Sequence, residues 1–195
     1  MGFFRVWLLG YTHPAGFIEE LRSKPAPKWG VCGQLVRALG VSLLYYLPLA
    51  LLGRAPSIPS AITFLPTETY FGTSIVLAPL FIIAQWLLLS AVVHVILRLM
   101  RRPSDIDQIL NITGMVALVV GAVLILWDWV WVFLEWQNLV LLGVSHLIIV
   151  IWAVVITTLG FKRILGVPVW LGVLLNLLWV LLGEPLGAIF MRAAI

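Results

Sequence analysis

The sequence predicts an all-α, polytopic membrane protein with five transmembrane helices and a short N-terminal amphipathic helix at the interface. Three observations carry this. The 195-residue chain is 63% hydrophobic and 10% charged, with mean hydropathy +1.13, whereas a soluble domain needs roughly 25% charged residues to solvate its surface. Five segments stay mostly apolar over about 20 residues, the length that crosses a hydrocarbon core at 1.5 Å per residue. Finally, Lys and Arg collect in alternate connections, as they do when one set of loops is retained in the cytoplasm.

Residues 1–30 form an interfacial N-terminal segment, and 31–195 the five-helix domain. FFRVWLLG (3–10) is apolar, but Arg5 interrupts it and it is too short to span. No small-residue cleavage site follows it, so no cleavable signal is expected. Pro14 suits the first turn of a helix, where its missing N–H is unneeded. Phe17, Ile18 and Leu21 then share a stripe, with Glu19, Glu20 and Arg22 turned away. Such a helix would lie along the interface. The run Lys24-Pro25-Ala26-Pro27-Lys28 ends it.

The spans are expected at 31–52, 73–97, 109–130, 139–160 and 167–189. Gln34 and Arg37 lie near the start of the first and Pro48 near its end. The second should bend at Pro79, with neighbouring helices satisfying the freed carbonyl. His94 and Arg98 share its cytoplasmic end, and Arg98, like Arg37, is expected to snorkel to the headgroups. MRRPSDIDQ (100–108) leads into the third span, with Ser104 as the expected N-cap and Asp105 and Asp107 in the first turn. Only a short link, Gln137-Asn138, joins the third and fourth spans, which makes them antiparallel neighbours. In the fifth, Asn176 is placed to bridge helices, Gly183 and Gly187 permit close approach, and Pro185 marks a kink or an end.

Ten of the twelve basic residues fall on one side of this path: Arg5, Arg22, Lys24, Lys28, Arg37, Arg98, Arg101, Arg102, Lys162 and Arg163. Arg54 and Arg192 fall on the other. The N-terminus is therefore expected in the cytoplasm and the C-terminus outside, in the cell (plasma or inner) membrane. The net charge of +4 is explained by those loops and needs no nucleic acid.

The N-terminal HPAGFIEELRSKP, the span end and re-entry VVHVILRLMRRPSDIDQIL, and the five-span path with short final loops together resemble the Yip1 family. The similarity is to prokaryotic members. Eukaryotic ones, which act in membrane traffic around the Golgi, carry an Asp-Leu-Tyr-Gly-Pro motif and a long arm for Rab-type GTPases. The resemblance implies a membrane-organising or protein-interaction component and no settled chemistry.

Candidate chemistry centres on ILWDWVWVFLEWQN (125–138). Asp128 and Glu135, seven residues apart, would share a face if the helix continues. Trp127, Trp129, Trp131 and Trp136 surround them, either as interfacial anchors or as a cage for a cationic group. His146, beside Ser145 in the fourth span, could approach Asp128. Glu184 is interfacial if its helix breaks at Pro185 and buried if it does not. No cofactor and no metal site are expected, since two such side chains fall short of the usual three or four ligands. Cys32, the single cysteine, excludes an intramolecular disulfide. G-x-S-x-G, H-E-x-x-H and phosphate-loop motifs are absent, so an enzyme is not expected. The bilayer, a membrane-protein partner and a second copy are the candidate partners. The rival functions are a small transporter or channel using Asp128, His146 and Glu184, and a lipid-handling protein.

Overall fold

The computed structural model describes residues 2–24, 26–56 and 65–190, apart from the side chains of Glu184 and residues 188–190. Arg192 lies outside the described residues. Helices α1 (Phe3–Thr12) and α2 (Pro14–Arg22) precede α3 (Lys28–Val41), which runs through a π-helical turn (Ser42–Tyr46) into α4 (Leu47–Leu51). Then come α5 (Tyr70–Leu99), α6 (Ile106–Leu134), α7 (Leu139–Leu165) and α8 (Val169–Phe190). The unit α3–α4 and helices α5 to α8 are the five elements long and apolar enough to cross a membrane.

Pro14 opens α2 in its first turn, and Phe17, Ile18 and Leu21 are all fully buried against the bundle. Segment 3–10 is helical as well, so the N-terminal stretch is a pair of helices. On the polar side of α2, Lys24 donates to the Glu20 carboxylate at 3.1 Å. That bond holds the Glu20 carboxyl below its ordinary value.

α6 is the hub. Of its most apolar stretch 61% is buried, against 11% for α7. α3 runs beside α6 at backbone contact. A Cβ at Gly30 would enter the backbone of Leu110 and Asn111, one at Gly114 would enter that of Gly30, and one at Gly33 would sit 2.9 Å from the Gly114 carbonyl oxygen. Small residues let membrane helices approach this closely, and the return is dispersion over the whole seam.

Carbonyls near the prolines are bonded across helices. Pro79 removes the donor for the Ile75 carbonyl, and Ser42 Oγ on the π turn donates to that oxygen at 2.7 Å. In the π turn before Pro48, the Leu44 carbonyl accepts from Trp129 Nε1 of α6 at 2.7 Å. In hydrocarbon an unsatisfied carbonyl is expensive, so the two bonds tie α5 to α3 and α3 to α6.

Four helices close with a left-handed residue followed by an amide that bonds back into the last turns: Arg54 to Leu49, Arg102 to Leu97 and Trp136 to Trp131, each five residues back, and Val167 to Phe161, six back. Two use Gly53 and Gly166, and two force Arg101 (φ 53°) and Glu135 (φ 51°) into that region. Arg101→Gly should therefore raise stability by up to about 1 kcal/mol. Thermal unfolding in detergent checks this, and an unchanged midpoint would show that Arg101 is not strained.

Two expectations are corrected. Ser104 is not the cap of α6: Asp105 caps it, accepting from the amides of Asp107 (2.9 Å) and Gln108 (3.3 Å). Ser104 Oγ instead bonds His94 Nδ1 at 2.8 Å. A carboxylate at the cap also meets the positive end of the helix dipole, which a hydroxyl cannot match. Nor does Arg37 snorkel. Its Cγ, Cδ and Nε lie across Gly121, near the middle of α6, and Nε is buried with no partner among the described residues.

The buried side chains form two clusters stacked along the bundle. One, around Val6, Phe17, Val93, Ile112, Val116, Phe161 and Leu171, fills the half that carries most basic residues. The other, around Tyr46, Leu49, Tyr70, Phe71, Ile82 and Val132, fills the opposite half.

Candidate site at the rim of α6 and α7

The link Glu135–Asn138 is short, and Asn138 caps α7 by accepting from the Leu141 amide at 3.0 Å. The last two turns of α6 are thereby held against the first turns of α7. Across this hairpin His146 Nε2 and Asp128 Oδ1 meet at 2.7 Å, both partly exposed. At the adjoining residues, Trp127 Nε1 donates to Ser145 Oγ at 2.7 Å, and Ser145 in turn donates to the Leu142 carbonyl at 2.7 Å.

Glu135 is not on that face. α6 ends at Leu134, and Glu135, in the left-handed conformation, turns outward to an exposed 3.9 Å pair with Arg54. A pair so exposed contributes less than about 1 kcal/mol. The tryptophans divide between two neighbours. Trp129 packs on Tyr45 (6.2 Å, 77°) and bonds α3, whereas buried Trp131 meets Trp127 (6.5 Å) and Trp136 (5.0 Å) edge to face. Among the described residues the Nε1 of Trp131 has no partner. The side chain of Glu184 lies outside the described residues, and its neighbour Gly183 accepts a 2.7 Å bond from Gln85 of α5.

The Asp128–His146 pair can hold one proton or attract a cation. It supplies two ligands, and among the described residues no group of three His, Cys, Asp or Glu side chains comes together. If the contact carries energy, Asp128→Leu and His146→Leu should each lower stability by about 1–3 kcal/mol, with the double variant losing less than the sum. A double-mutant cycle in detergent reads this directly. Additive losses would show two independent residues.

Two other polar residues inside the bundle, Asn111 and Thr113, had no distinguishing mark in the sequence. Asn111, fully buried on α6, accepts from the Gly30 amide (2.9 Å) and donates to the carbonyls of Lys24 and Ala26 (both 2.6 Å). Thr113 accepts from Trp86 Nε1 at 2.9 Å and meets Ser90 Oγ at 3.2 Å. Asn176, expected as a bridge, donates to Thr158 Oγ1 at 3.2 Å. Each lies where a helix pair must be fixed in register without water.

Five apolar spans, with several polar side chains bonded across helices, define a multi-span integral membrane protein. The chain belongs to the Yip1 family, whose domain matches residues 9–189. Searches of curated proteins and of solved structures returned no match.

Proposed function

We propose that this Yip1-family chain is a non-enzymatic component that organises the membrane by binding another membrane protein or a second copy. The observation that supports this is α7. Only 11% of its most apolar stretch is buried, and its exposed Leu141, Val144, Ile148, Ile151 and Val155 recur at spacings of three and four. That repeat is the seam by which one helix receives another. The experiment compares recovery of co-purifying membrane protein by wild type and by Val144→Trp/Ile151→Trp in mild detergent. A partner or second copy held by wild type and lost by the variant supports the proposal. Equal recovery of either, or of neither, counts against it.

The charge distribution supports an N-terminus in the cytoplasm and a C-terminus outside, in the plasma or inner membrane. In the fold Arg163 reaches Glu19 at 3.8 Å, which brings the basic ends of α2 and α7 together, whereas Arg54 and Glu135 mark the opposite rim.

Transport is the second function worth testing, because Asp128 and His146 meet within the bundle's outer half. Proton or cation flux in vesicles should then fall on Asp128→Asn. Equal flux in both proteins removes that function.

A further inference from the structure

We propose that α1 and α2 form a half-depth wedge that gives the protein a preference for membrane convex on its N-terminal face. This deepens the membrane-organising proposal by naming the lipid leaflet as what is organised, and it requires no protein partner.

α1 starts at the level where α3 and α6 enter the bilayer. The Phe3 ring stacks on Trp29 (5.4 Å, 23°), and the adjoining Gly30 is bonded to Asn111. It ends much deeper. Gly10 lies against the Val119 side chain with no room for a Cβ, and Tyr11 Oη donates to the Val119 carbonyl at 2.8 Å. Val119 is close to the midpoint of Ile106–Leu134. From Asn111 to Val119 is about 12 Å of helix, most of one leaflet of a roughly 30 Å core.

α2 brings the chain back. Ile18 and Ile112 both pack on Gly160, the Ala15 carbonyl and Glu19 reach Arg163 at the end of α7, and the Lys24 and Ala26 carbonyls return to Asn111. Along α1, Val6 and Gly10 are buried against the bundle, while Phe4 (69% exposed) and Leu8 (59%) face outward at membrane depth. As a helix, α1 satisfies most of its own backbone, which a lipid-facing segment must do.

Two helices about 10 Å across add roughly 160 Å² to one leaflet, beside about 400 Å² for five spans. Among the described residues the opposite half holds no helix of comparable length outside the spans. A cross-section larger on one side fits a leaflet that is stretched, and so a convex surface.

The test uses the full chain, labelled at its N-terminus and reconstituted into single vesicles of mixed diameter, with an impermeant quencher reporting orientation. Molecules with the N-terminus outward should be enriched by about twofold or more in vesicles near about 50 nm over those near about 400 nm, and inward ones depleted. Equal densities, or the same enrichment for both orientations, would overturn the proposal. Phe4→Ser/Leu8→Ser alters only the lipid-facing side of α1 and should shrink the contrast between orientations. An undiminished contrast would show that α1 is not its source. Because only protein and lipid are present, failure here leaves the partner experiment untouched.

Discussion

Replacing Gly114 by Val should abolish the folded state or lower its stability by about 3 kcal/mol or more. The Cβ would enter the backbone of Gly30, and backbone, unlike the end of a flexible side chain, has no rotamer by which to withdraw. α3 and α6 would have to separate along the whole seam. Trp129 would then lose the Leu44 carbonyl and Asn111 the Gly30 amide. With ten tryptophans the chain reports its own unfolding by intrinsic fluorescence in detergent. Gly143→Ala and Gly72→Ala are the controls, since no described residue lies within 4 Å of an added Cβ at either position. Both should stay within about 0.5 kcal/mol of wild type. A Gly114→Val protein as stable as these controls would mean that the two helices do not touch.

Asn111→Leu should be the next most damaging change. The side chain is fully buried and satisfies three backbone groups: the Gly30 amide and the Lys24 and Ala26 carbonyls. Leu nearly keeps the volume but leaves all three unpaired, at about 1–3 kcal/mol for each buried group. We expect a total loss of about 3 kcal/mol, because water reaches the loop carbonyls more readily than the amide. The damage should be local. Hydrogen exchange should rise in 2–30 and stay unchanged in α7 and α8. Asn111→Asp keeps the acceptor for Gly30 and loses both donors, so it should free the loop before α3 while leaving the helix start in place. Uniform protection across the Leu variant would contradict the anchoring role.

Much of the architecture was legible because it depends on hydropathy and charge, which the sequence displays residue by residue. Five apolar runs, the helix-opening Pro14 and the Phe17-Ile18-Leu21 stripe all reappear in the fold. The proline at 79 pointed to a freed carbonyl, but not to Ser42 as its donor, since that bond joins residues 33 apart. The depth of α1 was hidden for a related reason. FFRVWLLG is too short to span, and only the contacts of Gly10 and Tyr11 with Val119 show how far α1 runs along α6. At the rim, the short link between α6 and α7 made the meeting of Asp128 and His146 foreseeable. The divergence of Glu135 was not, because a single left-handed residue ended α6 before the two carboxylates could align. Asn111 looked like any polar residue in an apolar span until its three backbone partners arrived from the N-terminal loop and α3.

The most direct test of the interaction role is site-specific photo-crosslinking in native membranes, with the reactive group at Ile148 on α7 and, as a reference, at Val76 on α5, both exposed. The proposed scaffold predicts a discrete protein adduct, or a dimer of this chain, from Ile148 and only lipid adducts from Val76. Lipid adducts alone from both positions would show that the bare face of α7 meets acyl chains, and would contradict it.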